Sequence, residues 1–365
     1  MNFMKANTIR DYFYNFNSLQ VFALSFFICI SFYTIEGVLG IDRFYHPDSS
    51  YYLGHKSLHS FERYLSNPTL LFHQGYYVTS KIFSNNYYLL ILLNFVLYSF
   101  TNVIIFKIVF KKYFNILNKT KLLLLFYLFF LDPYRLHLAS HVLKETILIF
   151  IIIVIILSNL KILKLFFVFL LEVFRSNSWI YLLIFINYSK IKLVFKKKII
   201  LLTIIISILS LVLFLALSKS AQDLAINFLE LIINKIKQFD SNQMPLRTYD
   251  NVYQFKNFDF PAGFILKNIT WPIMLLSGFF MFFVSSLLFK FLGIIILLNN
   301  FIIYIITKKT YINLGLIIIL LMISIYTTSY TAMFRYSYIA IYASVIYFFL
   351  QFDHKLNNKK KNNKI

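Results

Sequence analysis

Uninterrupted apolar runs of membrane-spanning length constrain this chain more than any other feature. The run Ile199 to Leu217 (IILLTIIISILSLVLFLAL) is apolar apart from small hydroxyl side chains, and Leu314 to Thr331 has the same character. A stretch of about 18 apolar residues is long enough to cross a hydrocarbon core about 30 Å thick. Hydrophobic residues fill 59% of the 365 positions and charged residues 14%, against about 45 to 50% and about 25% in soluble domains. The sequence therefore predicts a polytopic membrane protein.

Further apolar segments raise the prediction to about nine or ten crossings, several of them short. They are Val21 to Leu39, Tyr87 to Phe110, Leu122 to Leu131, Val142 to Leu160, a broken pair Leu165 to Phe174 and Trp179 to Tyr188, a stretch inside Trp271 to Thr307, and Tyr336 to Leu350. The first span ends without a small-x-small cleavage site, so we interpret it as a retained anchor. We expect an all-α membrane helix bundle forming a single integral domain, residues 1–365, because no repeat or Gly- or Ser-rich linker divides the chain.

The distribution of lysines predicts the orientation of the spans. Basic clusters border the apolar runs on one side: Lys5 with Arg10, Lys107 to Lys121, Lys161 with Lys164, Lys190 to Lys198, Lys308 with Lys309, and the tail Lys355 to Lys364. By the positive-inside rule these segments face the cytoplasm. We therefore expect a multi-pass protein of the inner (cytoplasmic) membrane with both termini cytoplasmic. The same rule explains the net charge of +22 without nucleic acid as a partner, and the basic tail, about 354–365, is expected to be disordered.

Two long polar segments are predicted to lie outside the cytoplasmic membrane. The first, about 40–86, is rich in aromatic and ionisable residues. The second, about 218–270, begins with apolar residues at helical spacing, namely Leu224, Phe228, Leu231, Ile232, Ile236 and Phe239. This pattern predicts an amphipathic helix in the headgroup plane, or a lid that packs on the bundle.

Ionisable residues at the predicted membrane boundary are the candidates for chemistry, because a charge at mid-membrane costs about 2.5 kcal/mol or more. They fall in four places: Asp42 with Asp48 after the first span; Asp132-Pro133-Tyr134-Arg135 with the following Lys144-Glu145; Arg175 in an apolar hairpin; and Arg335 before the last span. A carboxylate there suits a general base that takes a proton from a sugar hydroxyl. Arginine suits a diphosphate, since its guanidinium binds phosphate oxygens in two places. Two structural alternatives remain open: Asp48 caps a helix that begins at Ser49, and Arg335 snorkels to the interface.

The sequence indicates neither a metal nor another cofactor. His55 and His59 are spaced to share a helix face, and His46 lies near Asp48, but no further ligand stands at a recognised spacing. A divalent metal is left open without support. The single cysteine, Cys29, excludes a disulfide within the chain. No Gly-rich phosphate loop or nucleotide fold is recognisable, which disfavours a soluble nucleotide-sugar donor.

Several short motifs together resemble the multi-span glycan enzymes of bacterial envelopes. The motifs are His46-Pro47-Asp48-Ser49-Ser50-Tyr51-Tyr52, Asn67-Pro68 through Gly75-Tyr76-Tyr77, Lys144-Glu145, Thr270-Trp271-Pro272 and Phe334-Arg335-Tyr336. In their order and placement they resemble the Wzy and EpsG-like polysaccharide (O-antigen) polymerases and the GT-C glycosyltransferases. The resemblance covers most of the chain by layout.

The resemblance implies an enzyme that transfers sugar from an undecaprenyl-diphosphate-linked donor at the outer membrane face. An Asp in the first external loop serves GT-C enzymes as catalytic base, and Asp48 has the comparable place here, with Asp42 and Glu145 as competitors. The expected substrate-binding residues are Arg335, Arg175, Arg135, Lys144, Tyr51 and Tyr52. Other envelope polysaccharide assembly proteins are expected as partners, besides the lipid-linked glycan and the bilayer.

The chain departs from the GT-C pattern in ways that favour a polymerase. GT-C chains often carry Arg-Tyr-Arg with a following Pro near the last span, whereas this chain has Arg335-Tyr336-Ser337-Tyr338 and no nearby Pro, and it is short for that class. The alternatives are a GT-C enzyme that adds one sugar, and a glycolipid flippase or transporter. A membrane acyltransferase would need a His or Asp placed for acyl transfer, and near a span only His137 and His141 qualify.

Overall fold

The computed structural model describes ten parts of the chain: residues 16–41, 47–54, 63, 74–114, 117–158, 160–175, 177–186, 287–309, 311–326 and 330–362. Every regular element in these parts is helical, as the all-α prediction requires. The predicted span 199–217 and the second loop, with its amphipathic helix, lie outside the described residues.

Contacts between residues group the chain into two compact units, and the single integral domain stays a prediction. The first unit consists of Met1–Leu182, Ile294–Tyr311 and Tyr338–Ile365, and the second of Leu183–Gly293 and Ile312–Ser337.

Twelve α-helices are described. In chain order they are α1 Ser18–Val38, α2 Pro47–Gly54, α3 Gly75–Ile82, α4 Tyr87–Ile105, α5 Lys111–Phe114, α6 Lys119–Phe130, α7 Pro133–Ser140, α8 Glu145–Leu157, α9 Lys161–Phe174, α10 Leu287–Thr307, α11 Leu314–Tyr326 and α12 Tyr330–Asn362. A π-helical turn, Phe106–Phe110, joins α4 to α5, and a 3₁₀ helix, Ser178–Phe185, follows α9. Helix α12 includes most of the basic tail that composition predicts to be disordered.

Three helical stretches among the described residues are long and apolar enough to cross a membrane. They are Ser18–Val38, Tyr87–Phe110 and Lys119–Ser140. Shorter apolar helices cover Glu145–Leu157, Gly293–Thr307 and Leu314–Ser324. These helices indicate a membrane-associated protein, while the full number of crossings stays a prediction.

Polar residues define where the apolar helices begin. The side-chain oxygen of Asn86 accepts the backbone N–H groups of Tyr88 and Leu89 at the start of α4. Asn118 accepts the N–H of Lys121 at the start of α6 in the same way. Such caps satisfy backbone donors that have no partner inside the helix. Helices α4 and α6 therefore each begin directly after a capping asparagine.

Helix α4 is the centre of the first unit and packs against α1, α6, α7 and α8. Its buried polar residues Asn94, Tyr98 and Asn102 are four positions apart and so share one face. Asn102 Nδ2 donates to Ser25 Oγ of α1 at 3.0 Å, and Tyr98 Oη donates to the carbonyl oxygen of Phe130 at 2.8 Å. These residues form a polar stripe on α4, which hydrogen-bonds the helix to its neighbours inside an apolar bundle.

The predicted break in the helix near Arg175 is present. The side chain of Glu172 bonds to the backbone that follows the break. Helix α9 ends at Phe174 and the 3₁₀ helix begins at Ser178. The Glu172 carboxylate accepts the backbone N–H groups of Asn177 at 2.9 Å and Trp179 at 2.7 Å. One acidic side chain therefore caps the element that follows its own helix.

In the second unit, the start of α11 lies against residues 183–186. The Nδ2 group of Asn313 donates to the carbonyl oxygen of Ile184 at 3.1 Å, while its Oδ1 caps α11 by accepting the N–H of Leu316 at 2.7 Å. A Cβ atom on Gly315 would lie 2.0 Å from the carbonyl oxygen of Leu183. Only glycine permits this approach.

Candidate functional site

Helix α2 docks on the turn that connects α7 to α8. The hydroxyl of Ser49 donates to the carbonyl oxygen of Val142 at 3.3 Å. The Lys144 ammonium lies 5.9 Å from the centroid of the Tyr52 ring, within reach of a cation–π contact. The segment that carries Asp48 and the Lys144-Glu145 pair, both predicted as site residues, therefore meet in the first unit.

Asp48 lies inside helix α2 and does not precede it. The helix begins at Pro47, which puts Asp48 in its first turn, half-buried. Proline suits this position because its missing N–H would have no partner there. A carboxylate in the first turn is also favoured by the helix dipole. The alternative in which Asp48 caps a helix starting at Ser49 does not match these bounds.

Aromatic side chains hold α2 against α3. The buried Tyr52 ring lies 4.7 Å from the ring of Tyr76 and 5.2 Å from that of Tyr77, measured between centroids. The hydroxyl of Ser80 donates to the carbonyl oxygen of Tyr52 at 3.0 Å. Tyr52, predicted as a substrate-binding residue, is therefore a packing residue of this contact.

Asn94 of α4 holds the turn that presents Lys144 and Glu145. Its Nδ2 donates to the carbonyl oxygen of His141 at 2.7 Å and to that of Leu143 at 3.4 Å. Lys144 is half-buried, like Asp48, whereas Glu145 is buried at the start of α8. A long-range hydrogen bond thus fixes the position of the charged pair.

The buried Tyr76 phenol of the aromatic cluster is sensitive to the polar groups of two other helices. Burial raises the pKa of the Tyr76 phenol far above its usual range; the Asn94 side chain lowers this pKa and the Glu145 charge raises it further. Tyr76 belongs to α3, Asn94 to α4 and Glu145 to α8. Three helices therefore bring their polar groups to the same end of the first unit as α2.

Arg135 is buried and makes its contacts within the protein. Its guanidinium lies 4.1 Å from the ring centroid of Tyr98 and 4.8 Å from that of Tyr342. The Nη1 group donates to the carbonyl oxygen of Phe129 at 2.8 Å and to the Tyr342 hydroxyl. This environment favours a packing role, and substrate binding by Arg135 stays a prediction.

Asp132 is a second buried anchor beside Arg135. Its Oδ1 accepts the N–H of Tyr134 and so caps α7. Its Oδ2 accepts the Tyr338 hydroxyl at 2.6 Å and the Asn299 amide at 3.1 Å. Asp132 therefore joins α7 to α10 and α12 within the first unit.

The remaining predicted site residues are spread over the chain. Arg175 is half-buried and directly follows α9. Its backbone N–H donates to the backbone carbonyl oxygen of Leu171. Arg335 belongs to the second unit, is buried, and lies 5.9 Å from the ring centroid of Tyr336. Asp42 lies outside the described residues, as does the side chain of Tyr51 in α2.

A buried group of Glu36, His137 and His141 was not predicted as a site. The nearness of the two histidines in sequence was the available signal, although His141 lies just beyond the end of α7 with extended backbone. No spacing connects them to Glu36, which lies 101 positions before His137. The polar stripe of α4 had a similar local signal in Asn94, Tyr98 and Asn102.

Comparison with protein-family models, curated proteins and solved structures finds no match for this chain. The functional argument consequently depends on the geometry of the first unit. The helix that carries Asp48 and the turn that carries Lys144 and Glu145 are in contact beside an aromatic cluster. Such a combination can accept a proton and bind an anion.

Proposed function

We propose that this chain is a membrane glycosyltransferase that polymerises undecaprenyl-diphosphate-linked oligosaccharide repeat units at the outer face of the cytoplasmic membrane. The observation that carries the proposal is the docking of α2 on the α7–α8 turn, through Ser49 and Val142. This contact puts the Asp48 helix beside Lys144. Two motifs that resemble those of envelope glycan enzymes therefore belong to one surface.

In the proposed reaction, Asp48 and Lys144 have different roles. The acceptor hydroxyl loses its proton to the Asp48 carboxylate as its oxygen bonds to the anomeric carbon of the donor. The bond between that carbon and the donor diphosphate breaks, and lipid diphosphate leaves with the electron pair. Lys144 stabilises the charge that develops on the leaving diphosphate. Glu145 and Asp42 are the alternative bases, and Arg175 is a further candidate for a diphosphate contact. A diphosphate role for Arg335, which belongs to the second unit, stays a prediction from the sequence.

The competing functions predict different products. A GT-C enzyme would extend the lipid-linked acceptor by one sugar, using a polyprenyl-linked donor. A flippase would move the lipid-linked unit across the bilayer and form no bond. Because a polymerase releases lipid diphosphate for every repeat unit joined, product size and lipid release together separate the three functions.

Reconstituted protein provides the direct test. Proteoliposomes containing the full chain are supplied with undecaprenyl-diphosphate-linked repeat unit, taken from the strain that encodes the protein. We expect a ladder of products spaced by one repeat unit, with stoichiometric release of undecaprenyl diphosphate. Single-sugar increments would favour the GT-C alternative, and transbilayer movement without new bonds would favour the flippase.

Lys144→Gln is the informative variant for this assay, and Lys81→Gln is its matched control. Lys81 is exposed in the last turn of α3. We expect Lys144→Gln to shorten the ladder or abolish it, and Lys81→Gln to leave it unchanged. Equal activity in both variants would remove the α7–α8 turn from the proposed site.

A further inference from the structure

Three side chains that the proposed reaction does not use meet where α1 packs against α7. Glu36 Oε1 lies 2.5 Å from His137 Nδ1, and Glu36 Oε2 lies 3.6 Å from His141 Nε2. The centroids of the two imidazole rings are 4.5 Å apart. One ligand atom from each residue lies within 4.8 Å of the other two. Three potential metal ligands therefore share one small volume.

The distances suit a small divalent cation after a minor adjustment. Zinc bonds to nitrogen and oxygen at about 2.0 to 2.2 Å, so tetrahedral ligands are separated by about 3.3 Å. The separation of 3.6 Å between Glu36 and His141 is close to that value. The 2.5 Å contact between Glu36 and His137 has hydrogen-bond length. A shift of about 1 Å in the His137 ring would exchange that hydrogen bond for a metal bond.

The donor set narrows the choice of ion. Two imidazoles and one carboxylate are a ligand set of catalytic zinc sites, in which the fourth position holds water or substrate. His137 lies in the last turn of α7, and His141 follows the end of that helix with extended backbone, so a helix end and the turn after it supply the two imidazoles. Magnesium and calcium prefer oxygen ligands, whereas imidazole suits transition metals.

Burial gives the cluster an electrostatic reason to bind a cation. Glu36 is 5% exposed, and His137 and His141 are each 2% exposed. An ionised carboxylate in an apolar bundle is unfavourable unless another charge compensates it. A divalent ion would compensate Glu36 and would also use both imidazoles. A protonated histidine paired with Glu36 is the competing explanation, and it needs no metal.

Neighbouring residues contact the backbone of His141 and the ring of His137. Asn94 Nδ2 donates to the backbone carbonyl oxygen of His141 at 2.7 Å. The Tyr134 ring is nearly parallel to that of His137, with centroids 6.1 Å apart. Contacts from outside the ligand set thus restrain the His141 backbone and the His137 ring.

We propose that Glu36, His137 and His141 bind one divalent transition-metal ion of the zinc class, with a fourth coordination position open to water or an anion. The proposal does not depend on the glycan polymerase function. Zinc binding tests the proposal, and no measurement of glycan polymerisation is needed.

Metal content of the wild-type protein is the primary measurement. The full chain is purified in detergent with an affinity tag that lacks histidine, incubated with zinc chloride, desalted and analysed by mass spectrometry for metals. We expect about one zinc per chain, retained in excess magnesium, and a higher unfolding temperature with zinc than with magnesium. Less than about a tenth of an equivalent, with no change in unfolding temperature, would overturn the proposal.

Variants locate the ion. Glu36→Gln and His141→Asn should each lose the bound zinc and the zinc-dependent rise in unfolding temperature. The double variant His55→Asn/His59→Asn is the matched control, because these residues form the other histidine pair with i, i+4 spacing. Zinc that is lost from the control and retained in the Glu36 and His141 variants would assign the ion elsewhere and overturn the proposal.

Cobalt(II) provides a test that does not depend on whether a variant folds. Wild-type protein loaded with cobalt should show the intense visible absorption of a four-coordinate ion, since coordination geometry is diagnostic. The weak absorption of six-coordinate cobalt would contradict the site proposed here.

Discussion

The hydroxyl of Ser49 donates a hydrogen bond to the carbonyl oxygen of Val142, although the two residues are 93 positions apart. The contact seats α2 on the turn that precedes Lys144 and Glu145. It brings the Asp48 motif and the Lys144-Glu145 motif together on one surface, where the Lys144 ammonium lies over the Tyr52 ring. The proposed function depends on this surface more than on any single residue in it.

Asp48→Asn should abolish glycan elongation while leaving the protein in the membrane at normal abundance. Removal of a general base typically lowers the rate by a factor of about 10² to 10⁴. Loss of a favourable charge in the first turn of α2 lowers stability by about 1 kcal/mol or less. Polymer length is measured by gel, with Asp353→Asn as the control. Full-length polymer from Asp48→Asn would assign Asp48 a structural role and favour Asp42 or Glu145.

Asn94→Leu should reduce both stability and elongation, because Asn94 donates to two carbonyl oxygens of the turn before Lys144. The expected destabilisation is about 1 to 3 kcal/mol. The matched control is Asn102→Leu in the same helix, which loses the hydrogen bond to Ser25 instead. We expect similar unfolding temperatures for the two variants but shortened polymer only from Asn94→Leu. Equal polymer lengths would show that the turn does not affect the reaction.

Arg335→Lys separates phosphate binding from snorkelling. A snorkelling residue needs only a positive charge on a long side chain, whereas two-pronged phosphate recognition requires the guanidinium. We expect Arg335→Lys and Arg335→Ala to lose polymer formation equally at matched expression, with accumulation of unpolymerised lipid-linked units. Wild-type polymer from the lysine variant would favour the snorkelling role.

Gly315→Ala should destabilise the second unit. The added Cβ would lie 2.0 Å from the carbonyl oxygen of Leu183, so the backbone must move. Such overpacking typically costs about 1 to 3 kcal/mol. Gly37→Ala is the control, since a Cβ there meets nothing within 4 Å. The unfolding temperature in detergent measures the difference, and equal values would contradict the close approach.

Single cysteines at Ser60 and Ser241 test the predicted orientation. In a Cys29→Ser background, a membrane-impermeant maleimide should label both positions in intact cells, because both predicted loops are external. A cysteine at Asn362 should react only after permeabilisation. Labelling in the reverse order would place the loops, and the site proposed beside them, on the cytoplasmic face.

Local sequence was sufficient for the bounds of α4 and the turn after it, but not for those of α8. The predicted span Tyr87 to Phe110 coincides with α4 and the π-helical turn that follows it. The shorter prediction Val142 to Leu160 was less accurate, since α8 begins at Glu145. The difference comes from Asn94, which holds residues 141 and 143 in a turn through a contact that no local pattern reveals.

Sequence alone determined that charged residues gather at the ends of apolar segments, because the hydrocarbon core excludes unpaired charge wherever a segment spans it. Asp48, Lys144 and Glu145 could therefore be selected without a structure. The tertiary structure decided that the segments carrying these residues come into contact, and it grouped Glu36 of α1 with His137 and His141 at the end of α7. Spacing along one helix is a local property of the chain. The register between two helices is set by how their side chains pack, and residues far apart in sequence become neighbours only through that packing.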